Sequence, residues 1–231
     1  MSLRKLALMG LSALAIMLIV LVMGFNASHQ PREAWPTTLE LSSTRGTLTP
    51  GTLAGDESGH LSLLIPGFTH CPDICPLSLA RLQMVWQRLD LQDQHRLHPL
   101  FLTLDPARDT LPVLTRYLSA FHLPVTGLRT APDDEQSLKT LTQRLGLQFH
   151  VREHGPAAHP ADDYMIDHSV AILVLDDQGR LRDTLPLSQT PAQLADRIEQ
   201  LLDSVHDSVH DSVHDSIDQG TGHDVPAESA S

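Results

Sequence analysis

Both cysteines of the 231-residue chain fall in one short stretch, His70-Cys71-Pro72-Asp73-Ile74-Cys75-Pro76. Two convergent thiolates are soft ligands and favour Cu(I). They are a poor start for structural zinc, which takes four protein ligands and usually more cysteines than this chain supplies. The same pair can form and break a disulfide, because a short turn reaches the usual Cα separation. An inert disulfide closing so short a loop gains little from chain entropy. A copper site on two thiolates commonly takes a third donor. His168, in Tyr164-Met165-Ile166-Asp167-His168-Ser169, stands at the mouth of a strongly apolar segment, 169–175. His150, His154 and His159 lie just before it and compete for the role. Met165 is a soft thioether but reads equally as a core residue. Spacing leaves the choice of third donor open.

The elements that must position these residues are legible around them. A proline after each cysteine disfavours helical backbone at the cysteine itself. Cys71 and Cys75 are therefore expected to be extended or turn-like, with Cys75 as N-cap and Pro76 as first residue of a helix. The first amides of that helix then point toward the sulfurs and favour thiolate. Leu61–Ile65 ahead of the motif is a continuous apolar run, as in a buried strand. A cysteine pair between strand and helix is the thioredoxin-type placement, although the spacing is C-x-x-x-C rather than C-x-x-C. Further strands are expected at 99–104, 147–151, 169–175 and 181–185, the last two joined by a turn at Asp177-Gln178-Gly179. Helices are expected at 76–91, 110–121, 133–145 (closed by Gly146) and 191–202, with Thr190 as N-cap of the last. Alternation of strands and helices implies an α/β sheet with helices on its faces.

Leu6–Phe25 is apolar except for Gly10, Ser12 and Gly24, and spans about 30 Å as a helix, the thickness of a bilayer core. Arg4 and Lys5 precede it, which places the N-terminus in the cytoplasm. The run exceeds the apolar core of a signal peptide, and no A-x-A cleavage site follows it. The reading is a single-pass bacterial inner-membrane protein with its domain in the periplasm, where disulfides form. A net charge of −12 argues against nucleic acid as a partner. Four regions follow: 1–25, a cytoplasmic stub and transmembrane anchor; 26–58, a linker with irregular or short-strand structure; 59–202, the folded domain; and 203–231, a polar tail. The tail repeats Asp-Ser-Val-His at 203–206, 207–210 and 211–214 and decays to Asp-Ser-Ile-Asp at 215–218. A period of four keeps His206, His210 and His214 near one helical stripe, drifting about 40° per repeat. Such histidines can bind a transition metal; a slipped duplication without function explains the repeat equally well.

Three blocks in order carry a family resemblance. Gly67-Phe68-Thr69-His70-Cys71-Pro72-Asp73-Ile74-Cys75-Pro76 resembles the signature of the Sco/SenC family. Thr103-Leu104-Asp105-Pro106-Ala107-Arg108-Asp109-Thr110 looks like its D-P-x-R-D-T segment. Asp167-His168-Ser169, followed by Asp176-Asp177-Gln178-Gly179, looks like its D-H-S segment with the turn beyond it. The resemblance runs from about residue 36 to 202. It implies a thioredoxin-like sandwich, a central mixed sheet flanked by helices, with one N-terminal transmembrane helix. It implies copper, as Cu(I) or Cu(II), on Cys71, Cys75 and His168. The implied role is that of a metallochaperone rather than an enzyme. It delivers copper to the binuclear copper site of cytochrome c oxidase, or keeps that site's cysteines reduced. The partner is then the oxidase's copper-site subunit or another periplasmic copper or thiol protein. The alternative is a periplasmic thiol:disulfide oxidoreductase without obligatory copper, with Cys71 and Cys75 as the redox pair. A peroxiredoxin is disfavoured, since Pro66, Thr69 and Cys71 do not match its P-x-x-x-[TS]-x-x-C loop. Asp109 is expected to cap the helix after it. Three features depart from the family pattern: Pro66, expected to end or bend the first core strand; the His- and Pro-rich loop 150–163; and the repeat tail.

Overall fold

The structure is a computed structural model. It describes residues 17, 32–33, 35–36, 39–49, 59–153 and 164–218, with 206–218 as helix backbone only. The chain divides into two units, Met1–Arg32 and Glu33–Ser231. The apolar run Leu6–Phe25, except Met17, lies outside the described residues, as do His154 and His159. Among the described residues no helix is long and apolar enough to cross a membrane.

In chain order the elements are β1 (Arg32–Glu33), β2 (Leu41–Ser43), β3 (Gly46–Leu48), β4 (Leu61–Gly67), α1 (Ile74–Trp86), α2 (Leu91–His95), β5 (Leu97–Thr103), α3 (Leu111–Leu118), β6 (Thr126–Arg129), α4 (Glu135–Arg144), β7 (Phe149–Glu153), β8 (Tyr164–His168), β9 (Ala171–Asp176), β10 (Arg180–Pro186) and α5 (Pro191–Asp218). One sheet has the order β1-β10-β9-β4-β5-β6-β2-β3, and β7 pairs with β8 in a separate ladder. β4, β5 and β6 run parallel, while β9 is antiparallel to β4. The sheet is therefore mixed, as expected.

Alternation along β4 fills both faces. Leu61, Leu63 and Ile65 pack with Leu79, Leu82 and Val85 of α1 and with α3 and α5. Leu64 faces the other way, toward Leu100, Leu173 and Leu141 of α4. Trp35 and Leu41, from the segment expected to be a linker, are buried in this second cluster. At the other end of the domain, Val205 is buried in the first cluster and α5 continues to Asp218. The repeat thus begins inside the last helix of the fold. Thr190 and Gln193 exchange bonds at its start: the Gln193 amide reaches Thr190 Oγ1 at 3.3 Å and the Thr190 amide reaches Gln193 Oε1 at 3.0 Å, a capping box. Gly146 and Gly179 take the left-handed backbone (φ +70° and +71°) that their turns require.

Three local expectations are corrected. Pro66 does not end β4, which continues to Gly67 with Pro66 opposite Leu102 of β5. The Gly67 carbonyl accepts from Leu104 on the β5 side, so by alternation Pro66 faces the β9 side. There the ladder has already stopped at Leu64–Leu173, and the missing amide costs no bond. Second, α1 begins at Ile74 with Asp73 as N-cap, so Cys75 is helical and is not the cap. A proline in the first turn removes an amide that has no intrahelical partner in any case. Third, the strongly apolar strand starts at Ala171, and His168 instead closes β8, a strand the sequence reading did not separate.

Candidate metal centre

Cys71, Cys75 and His168 meet at the carboxyl end of β4. β4 delivers the loop Phe68–Asp73, in which the Cys71 amide closes a turn on the Phe68 carbonyl (3.3 Å). The start of α1 then brings the Cys75 amide to the Cys71 sulfur at 3.4 Å. A helix amide does point at a sulfur, as expected, and that sulfur is Cys71. The cysteines are not exposed: Cys71 is 9% and Cys75 1% accessible. They sit in an apolar cluster with Phe68, Leu104, Leu138 and Ile166, against which Phe149, Tyr164 and Met165 pack. Met165 is a wall of this cluster.

β8 carries His168 to the pair, with Nε2 3.5 Å from the Cys75 sulfur. Its Nδ1 lies 2.8 Å from the Ser169 carbonyl. A carbonyl only accepts, so Nδ1 holds the proton and Nε2 presents its lone pair to the sulfur. Burial holds the His168 pKa below its ordinary value, and burial pushes the Cys75 thiol up, against the opposing bond from the Phe68 backbone. The expected favouring of thiolate therefore fails at Cys75. The metal-free pair is a thiol facing a neutral imidazole.

The donor set fits copper. Bonds of about 2.3 Å to sulfur and about 2.0 Å to nitrogen span a 3.5 Å separation at an angle of about 110°. A backbone carbonyl on the second ring nitrogen is the usual way a ligating imidazole is oriented. His168 also borders an open cleft of about 510 Å³ with Phe149, His150 and Asp167. His150 is exposed there, opposite Asp167 in the β7–β8 ladder. Ile74, next to Cys75 in the chain, is exposed with Leu77 and Val170 around a groove of about 340 Å³.

The residues that hold this loop were missed by sequence reasoning. Asp109 does not cap α3, whose N-cap is Thr110. Its carboxylate, fully buried, accepts from the Thr69 amide (3.0 Å), the Thr69 hydroxyl (2.5 Å) and the Thr103 hydroxyl (2.5 Å). It thereby ties the cysteine loop to the end of β5. Asp105 accepts from the Tyr164 hydroxyl at 2.6 Å and is ion-paired with Arg108, whose guanidinium lies over the Tyr164 ring, 3.6 Å from its centroid. This clamp fixes the start of β8, the strand that ends in His168. Burial and the bond to Asp105 push the Tyr164 phenol up to about 12. His70, Asp105 and Asp109 place possible ligand atoms within 4.8 Å of one another, but the two carboxylates are already engaged by these donors. The polar ends of the apolar segment 99–104 were the available signal. Nothing local named their partners, since Thr69 is 40 residues from Asp109.

The chain is 39% identical over 127 residues to mitochondrial SCO2 of Saccharomyces cerevisiae, covering 55% of this chain and 40% of that protein. It thus spans well under half the length of that relative. Yeast Sco1 with copper bound superposes with a TM-score of 0.58 at 31% identity, over 70% of this chain and 84% of that one. BsSco, described as having a disulfide switch and as a member of the Sco family of cytochrome c oxidase assembly proteins, shares the fold (TM-score 0.55, 15% identity, 75% and 95% covered). The fold is thus the thioredoxin-like sandwich of Sco proteins. The SCO1/SenC family model matches residues 40–203, and the chain belongs to the SCO1/SenC family.

Proposed function

We propose that the chain is a membrane-anchored copper chaperone that carries copper on Cys71, Cys75 and His168. It passes the metal to the binuclear copper site of cytochrome c oxidase, or keeps that site's cysteines reduced. The observation that carries the reading is the approach of His168 Nε2 to Cys75 at 3.5 Å with Nδ1 committed to Ser169. Thiol exchange needs no such imidazole. Copper bound to the structural relative yeast Sco1 supports the cargo. The apolar run Leu6–Phe25 supports an inner-membrane anchor with the domain in the periplasm. The cleft beside His168 and the apolar groove beside Cys75 leave room for an acceptor to exchange ligands with the metal. A thiol:disulfide oxidoreductase without obligatory copper is the second reading, favoured by the contact between the Cys75 amide and Cys71 and by the disulfide switch named for BsSco.

The test is to mix the copper-loaded chain, and separately its reduced metal-free form, with the copper-site domain of the oxidase subunit. Copper appearing on the reduced acceptor supports delivery. Reduction of the oxidised acceptor by the metal-free chain, with Cys71 and Cys75 joined as a disulfide, supports the thiol role. The absence of both reactions would overturn the proposal.

A further inference from the structure

We infer that the Asp-Ser-Val-His repeat is a transition-metal site, in which His210 pairs with His206 or with His214 to hold one divalent ion. The repeat sequence alone leaves its conformation open, because Asp, Ser and Val are mediocre helix formers. The fold supplies what local preference does not. α5 runs unbroken from Pro191 to Asp218. Leu194, Ile198, Leu201, Leu202 and Val205 bury one face of its first part. Val205 already belongs to the first repeat, so the packed helix sets the register that the rest of the repeat continues.

Four residues along a helix rise about 6 Å and turn about 40° beyond a full circle. His206 and His210 are therefore neighbours on one face, and so are His210 and His214. Two histidines at this helical spacing chelate zinc, as in an H-E-x-x-H helix. Neutral imidazoles suit zinc, copper and nickel alike. Each histidine also follows an aspartate by three residues, Asp203, Asp207 and Asp211 in turn. A carboxylate and a histidine three apart are themselves a metal-binding spacing on helices. Asp207 shares an arc of about 100° with His206 and His210, which offers a carboxylate as third donor, and water fills the remaining positions. His206 and His214 are about 12 Å apart along the axis, too far to share an ion. Both pairs thus depend on His210.

The same helix face is negatively charged ahead of the repeat. By helical rotation the three histidines fall on the arc of Asp196, Glu199 and Asp203, of which Asp196 and Asp203 are exposed. No Lys or Arg follows Arg197 in the chain. Partial burial, and then the carboxylates of Asp93, Asp196, Asp90 and Asp203, hold the Glu199 pKa above its ordinary value. Acidic groups of α2 and α5 are thus crowded where the repeat begins, and a dication is drawn to such a field. The Leu202 carbonyl accepts from the Arg96 guanidinium at 2.7 Å, just ahead of β5. The cysteines follow the carboxyl end of β4, which runs parallel to β5. The repeat therefore leaves the domain at the end away from Cys71 and Cys75, and the two sites are separate.

The experiment is titration of the full chain with Zn(II) alone at about pH 7.5, where an ordinary imidazole is neutral. It is read through the imidazole NMR signals of His206, His210 and His214 and through amide hydrogen exchange of residues 206–214. His210→Gln leaves no neighbouring pair and is expected to weaken binding by about tenfold or more, whereas His206→Gln or His214→Gln removes one of two pairs and weakens it by about twofold. Zinc is expected to slow amide exchange across the repeat in the parent and not in His210→Gln. Equal losses in all three variants, or binding unchanged in His210→Gln, would overturn the inference. So would repeat signals that stay put at Zn(II) levels saturating Cys71 and Cys75. All three substitutions lie beyond Val205, the last core residue of α5 among the described side chains, so the folded domain is retained in each.

Discussion

Burial keeps Cys75 a thiol and His168 a neutral imidazole before any metal arrives, and this sets how the metal-free protein responds to pH. The His168 pKa lies below its ordinary 6.5 in the folded state. As pH falls below 6.5 the unfolded chain takes up a proton that the native chain does not, so stability drops. The Cys75 pKa lies above its ordinary 9.0. As pH rises past 9.0 the unfolded chain releases a proton that the native chain keeps, and stability drops again. Urea melts of the reduced, metal-free protein are expected to show both slopes, the acid one flattened in His168→Gln and the alkaline one in Cys75→Ser. Equal slopes in the parent and both variants would contradict this picture. Copper must displace the Cys75 proton, so copper affinity is expected to fall as pH falls. Gly67 is a third critical position. A Cβ there would stand 2.8 Å from the Phe101 ring and 3.0 Å from the Cys75 sulfur. Gly67→Ala is expected to cost about 1–3 kcal/mol in a denaturant melt and to weaken copper binding by displacing Cys75.

At the scale of elements, the proposed ligands are placed by elements whose own fastening lies elsewhere. Asp109→Ala leaves the Thr69 amide and the Thr69 and Thr103 hydroxyls without their acceptor. This is expected to cost about 1–3 kcal/mol and to loosen the cysteine loop, read as lost stability together with weaker copper binding. An Asp109→Ala protein as stable as the parent would show that the loop is held by other means. β4 and β9 were legible because each is a continuous apolar run buried on both faces. β8 was not, because Asp167 and His168 break its apolar pattern and its partner β7 is equally short. The helix start at Ile74 was hidden for a different reason. The proline rule disfavours helix at Cys75, and only the first-turn exception restores it.

At the scale of the whole molecule, the three motif blocks named the proposed ligands, but the bonds that orient them cross between β4, β5 and β8 and left no local trace. The extent of the fold was also partly hidden, since Trp35 and Val205 enter the core from segments that read as linker and tail. A truncation that tests the repeat must therefore spare Val205. Removing residues 207–231 is expected to lower the total copper bound per chain while leaving the tightest equivalent intact, as read by metal analysis after dialysis. An unchanged total would reduce the repeat to a duplication without a metal role. The central claim is the three-ligand centre, and anaerobic copper titration of the reduced chain, followed by optical and EPR spectra, tests it most directly. One tight equivalent is expected, with a sulfur-to-Cu(II) charge-transfer band and a nitrogen signature that disappear in His168→Ala. A tight equivalent whose spectra and affinity are the same in His168→Ala, or that survives Cys75→Ser unchanged, would contradict it.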